Sequence, residues 1–232
     1  MCRRRPNAFT LIELLVVIGV IGTLMGLLLP AVRYGRAIAQ STKCAHNLGQ
    51  FGHALELYIE GCGGFIPRRG QGVQKLGVID RGDDWFNCLL PYVELPAYSD
   101  LIAQGKRPVE GEQSVLICPV AIDPGWTYFL PYAMNMYLSP WIRPANHNFD
   151  EIQAPNTLVF MADAPGPYSA TVPSRKDYGV PARHSGKANL VFVDGHVASF
   201  AGTYLGCGAG DPSRPDVRWQ TGTQGINQPP LE

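Results

Sequence analysis

The chain has 232 residues, and 19 Lys+Arg are balanced by 19 Asp+Glu. That length suits one domain, with or without an appendage. The balance excludes the basic excess of a nucleic-acid-binding protein and the acidic excess of a disordered chain. With 26 Gly and 20 Pro, turn formers reach about 20% against a usual ~12%, so long loops are expected.

Residues 1–8 hold three consecutive arginines, Arg3 to Arg5, and no acid. Phe9-Thr10-Leu11-Ile12-Glu13 follows, then an uncharged apolar run from Leu14 to Val32. As a helix, 9–32 would extend about 36 Å, enough for a hydrocarbon core of ~30 Å. The arginines would keep the N-terminus in the cytoplasm and place the rest of the chain on the far side. A secretory signal peptide needs a small-x-small cleavage site after the run, and Pro30-Ala-Val-Arg-Tyr34 is a poor one. A plain anchor fits the length but leaves Glu13 without a partner, and acids inside membranes usually have one. Gly22-x-x-x-Gly26 is a small-residue pair of the kind that lets helices approach closely. Pro30 has no N–H and is expected to kink the helix.

An arginine-rich leader, a small residue and then Phe-Thr-Leu-Ile-Glu-Leu-Leu-Val-Val-Ile resemble the N-termini of type IV pilins and type II secretion pseudopilins. The resemblance implies cleavage by a prepilin peptidase between Ala8 and Phe9 and methylation of the new Phe9 amine. Ala8 stands where that family usually has Gly. It also implies that Glu13 meets the N-terminus of a neighbouring subunit during assembly, and pilins often carry a proline at the distance of Pro30.

Past Val32, Ala37, Cys44, Leu48, Phe51, Leu55, Tyr58 and Cys62 recur at helical spacing, an amphipathic stripe ended by Gly61, Gly63 and Gly64. The head is expected to show short strands at Ser114–Cys118, Thr157–Ala162, Asn189–Val193 and His196–Phe200, and a short helix within Trp85–Val93. The last two strands flank Asp194-Gly195 and read as a hairpin with a type I′ turn. In that register Phe192 faces Val197, and Leu190, Phe192 and Val197 share the face toward the helix.

Nine residues separate His184 from Asp194-Gly195. With Leu27-Leu-Leu-Pro-Ala-Val32, Cys44-Ala-His-Asn-Leu48, Leu89-Leu-Pro-Tyr92, Ile117-Cys-Pro119 and Tyr132-Ala-Met-Asn135, this resembles the planctomycete DUF1559 family. That family joins a prepilin-type N-terminus to a C-terminal His-x9-Asp-Gly motif, and the resemblance covers residues 9 to about 200. It implies an architecture and a compartment rather than a reaction.

These readings give an α+β, pilin-like fold with a leader at 1–8, a membrane and assembly helix at 9–32 and its amphipathic continuation at 33–62. An antiparallel-sheet head follows at 63–205, then a Gly/Pro-rich irregular tail at 206–232. The expected role is a processed structural subunit of the inner membrane, head outward, with prepilin peptidase and like subunits as partners. Neither nucleic acid nor catalysis is expected. The alternative is an exported binding or metal-dependent head, with His184, Asp163, Asp194 and His196 as candidate divalent-metal ligands. Against it, His184 can simply brace the hairpin and Asp194 can serve the turn. No cofactor is otherwise expected. Of the six cysteines, Cys2 lies in the leader. Cys44 reads as a small buried hydrophobe, and Cys88, Cys118 or Cys207 could pair with Cys44 or Cys62 in an oxidising compartment. The pairs Arg68-Arg69 and Arg175-Lys176 read as solvated surface.

Overall fold

The computed structural model describes residues 10–70, 75–109, 112–138, 148–210 and 214–220. The leader and the Ala8–Phe9 bond lie outside the described residues, as do 221–232 of the tail. The chain divides into two compact units, Met1–Ala39 and Gln40–Glu232.

Helix α1 (Leu11–Gly61) begins in the first unit and runs unbroken through Pro30. Its start is chemically defined. Thr10 N and Oγ1 both donate to Glu13 Oε2, at 2.8 and 2.7 Å. Glu13 N donates back to Thr10 Oγ1 at 3.3 Å. This is a capping box, Thr-x-x-Glu, which satisfies helix-end donors reciprocally. From Leu11 to Val32 every side chain is exposed.

In the second unit α1 is amphipathic, as the stripe requires. Cys44, Leu48, Phe51 and Leu55 are fully buried. Tyr58 is half-buried, whereas Cys62 is exposed because it lies one residue past the end of the helix. Asn47 is also buried, although the apolar spacing gave no reason to expect it.

The head contains α2 (Trp85–Cys88), a 3-10 turn (Leu90–Val93), α3 (Tyr98–Ala103) and α4 (Gly202–Leu205). Its five strands are β1 (Leu130–Asn135), β2 (Val159–Gly166), β3 (Ala170–Thr171), β4 (Lys187–Phe192) and β5 (Val197–Ala201). Their order across the sheet is β3-β1-β2-β4-β5. The sheet is mixed rather than antiparallel, because the two-residue β3 runs parallel to β1. Pro131 falls where the β1–β2 register shifts, between Leu130 and Tyr132; a residue without an N–H is best placed at such an irregularity.

Both faces of the sheet are covered. One packs on α1 with Trp85, Phe86, Tyr98, Tyr132, Phe160, Val191 and Val193. The other holds Val159, Ala162, Leu190, Phe192, Leu205, Val217 and Trp219. Val217 and Trp219 come from the stretch read as tail. That stretch is irregular over 214–220, yet Arg218 bridges to Leu158.

Three expectations are corrected. Ser114–Cys118 is a buried turn, not a strand: Ile117 N donates to Ser114 O at 3.2 Å and Leu116 N to Ser114 Oγ at 3.2 Å. Serine competes locally for backbone donors in this way. The β4–β5 hairpin pairs Val191 with Val197, one residue off the expected register. Gly195 alone takes positive φ, +83°, and Asp194 does not. With Gly195 N on Phe192 O and Phe192 N on His196 O, both at 2.9 Å, the loop is the three-residue type closed by a glycine bulge rather than a type I′ turn. A one-residue slip exchanges faces, so Val191, Val193 and Val197 meet α1 while Leu190 and Phe192 turn away. Finally, Arg69 is half-buried with Nη1 on Met136 O at 2.6 Å, and Arg68 faces Asp83 at 3.4 Å. That pair fastens the head rather than merely facing water.

Candidate functional site

The candidate residues of the head separate into two places. Asp194 and His196 lie on the hairpin loop, partly open to solvent, with His196 Nδ1 2.6 Å from Asp194 Oδ1. The His196 ring stacks on Phe192 at 4.2 Å and 4°. These contacts close the loop on itself and aim no group outward in common with His184.

His184 lies at the other end of β4. Its N–H and C=O exchange hydrogen bonds with Lys187 at 3.0 and 3.1 Å. Ser185 and Gly186 between them both take positive φ, the conformation of a tight two-residue turn. This turn drives the His184 side chain inward. Its Nε2 sits 3.4 Å from Asp163 Oδ2, with both side chains fully buried. Asp163 comes from the middle of β2, and its Oδ2 also accepts from Asn189 N at 2.8 Å. Asp163 Oδ1 and His184 Nδ1 are buried without a hydrogen-bond partner.

Two cysteines complete the cluster; the sequence named them only among possible disulfide partners, not as neighbours of His184. Cys118 Sγ lies 3.8 Å from His184 Nε2 and 2.7 Å from Cys44 Sγ. Asn47 of α1 holds the Cys118 loop by donating to Ile117 O at 2.8 Å, and it reaches Tyr132 Oη at 3.2 Å. Cys44, Cys118 and His184 place one potential ligand atom each within 4.8 Å of the others. A zinc ion with sulfurs at about 2.3 Å holds two tetrahedral sulfurs some 3.8 Å apart. The His–Cys spacing suits that geometry, but the 2.7 Å between the sulfurs does not.

Electrostatically the cluster is strongly polarised. Burial raises the Asp163 carboxyl, against the opposing pull of His184 and Arg183. Burial works against a charged His184, but its bonds to Asp163 and Cys118 outweigh that and push it up to about 9. Cys44 draws the Cys118 thiol down, burial opposes this and His184 assists, giving about 4. The Cys44 thiol is pushed up by the same contact and by burial.

At the N-terminus, Gly22 and Gly26 face open space, with nothing within 4 Å of where a Cβ would stand. Glu13 has a partner after all, the capping Thr10, and both bonds use Oε2. A family model described as the prokaryotic N-terminal methylation motif matches residues 3–29. The chain carries a pilin-like N-terminus. No curated protein and no solved structure matches the chain. The motif match ends before the second unit, so the head is read from its own geometry.

Proposed function

We propose that this chain is a pilin-like or pseudopilin-like structural subunit, anchored in the cytoplasmic membrane through Phe9–Val32 with its head outside. Prepilin peptidase cuts between Ala8 and Phe9, and the new amine is methylated. Like subunits then pack through their N-terminal helices, with Gly22 and Gly26 admitting close approach and Glu13 Oε1 meeting a neighbour's terminal amine. The head, DUF1559-like in its motifs, serves as a scaffold without a reaction of its own or a resident cofactor. The observation that carries this reading is a methylation motif leading into an apolar helix that is exposed from Leu11 to Val32.

Mass spectrometry of the purified protein tests the first step. The expected product begins at a methylated Phe9; retention of residues 1–8 overturns the reading. Two substitutions test the second. Glu13→Gln keeps a capping acceptor but no charge, and Glu13→Ala removes both. Cleavage should survive in each and assembly fail in each. A Gln variant that assembles like the parent would reduce Glu13 to a helix cap.

A further inference from the structure

We infer that Cys44 and Cys118 form a disulfide that staples the amphipathic half of α1 to the Ser114–Ala121 loop of the head. The inference rests on the export reading above, because such bonds persist in oxidising compartments.

The geometry argues for a bond rather than a contact. The two sulfurs lie 2.7 Å apart, well inside the roughly 3.5–4.0 Å at which non-bonded heavy atoms rest. They need close by only about 0.7 Å to reach a bond of ~2.0 Å, whereas a shared zinc would require them to separate by about 1 Å. Both are buried, Cys44 at 0% and Cys118 at 2% exposure. The approach is built rather than incidental: Asn47, one turn along α1, grips Ile117 O beside Cys118. Of the other described cysteines, Cys62 is exposed and Cys88 and Cys207 are partly so.

Formation is a thiol–disulfide exchange. The Cys118 thiolate attacks the disulfide of an exported thiol oxidoreductase and displaces one of its sulfurs as a thiolate. Cys44, once deprotonated, then attacks the Cys118 sulfur and releases the oxidoreductase as a dithiol. The two protons of Cys44 and Cys118 end on that dithiol, and its two sulfurs take the two electrons. Because both sulfurs are buried in the folded head, the exchange belongs to folding, before α1 closes over the loop.

The test is differential alkylation of the full chain purified from envelopes, denatured without reductant, followed by peptide mapping. Cys62, Cys88 and Cys207 should be modified at once, and Cys44 and Cys118 only after reduction, with a linked peptide joining them. Cys44→Ala should free Cys118 for alkylation without reductant, a readout independent of stability. Reduction of the parent should lower its unfolding midpoint by roughly 10 °C, since the bond closes a long loop. A second sample is refolded in a glutathione redox buffer. Free Cys44 and Cys118 in both samples overturn the disulfide, as does one equivalent of bound zinc on a protein with both thiols free. Thiols free as isolated but linked after refolding uphold the pairing and overturn the export reading instead.

Discussion

Asp163 shows how far a single residue can be read from sequence. Its place near the end of a strand-like run made it a candidate beside His184, and the two do meet, at 3.4 Å. Cys118 could not be found the same way: it lies 66 residues from His184 and 74 from Cys44, in a segment whose short apolar run imitates a strand. The buried pair has a measurable signature. His184 is pushed up to about 9, above its unfolded value of about 6.5. The folded state therefore keeps a proton that the unfolded state loses first. The stability this confers is fully present below about pH 6.5 and is lost as pH rises toward 9. Denaturant unfolding from pH 6 to 9.5 should show that decline. Asp163→Asn should flatten it and destabilise the protein at pH 6.5 by about 3 kcal/mol, as removal of one partner of a buried pair does. A linked Cys118 cannot titrate, whereas the free thiol, drawn down to about 4 in the fold, adds stability as pH rises toward its unfolded value; the decline should therefore be shallower in reduced protein than in oxidised. An unchanged slope in the Asn variant would show that the pair holds no proton in the native state.

At the scale of elements, the two halves of the His-x9-Asp-Gly motif are the two ends of β4. Lys187–Phe192 has six residues, about 20 Å of strand, so spacing alone keeps His184 and Asp194 apart. Each end instead meets α1: His184 beside Cys44, and the loop glycine against Gly52. A Cβ on Gly52 would stand 2.8 Å from Gly195 O and 2.8 Å from Val191 Cγ2. The motif is thus legible as a pattern but misleading as a constellation, because the strand it brackets holds its two ends apart. Gly52→Ala should cost about 1–3 kcal/mol, since backbone must move to admit the methyl group. Gly49→Ala is its control. There the new Cβ meets only Val197 Cγ2, at an ordinary 3.5 Å, and loss of a mid-helix glycine should stabilise by up to ~1 kcal/mol. Equal effects from the two substitutions, measured by urea titration, would remove the close docking of the loop on α1.

The whole molecule joins two segments held together by different physics. From Leu14 to Val32 the helix carries no charge, and from Leu11 to Val32 every side chain is exposed; Leu11 and Leu27 are each 78% exposed. The buried core begins at Cys44 and recruits residues as far along as Trp219. This division was plain in the sequence, where a run without charge gives way to a periodic stripe. The second face of the sheet was not, because Val217 and Trp219 sit in a Gly/Pro-rich stretch with no period to mark them. A fragment of residues 33–232, exported behind a cleavable signal, keeps every buried hydrophobic residue of the head. It should stay soluble without detergent and unfold within about 2 °C of the detergent-solubilised full chain, because the side chains removed from Leu11 to Val32 are exposed and belong to no buried core. The full chain should remain with membranes after a high-salt wash, since what holds it there is apolar area, which salt does not screen. A fragment that unfolds well below the full chain would mean that the first forty residues support the head, and the division at Ala39 would not describe how the protein folds.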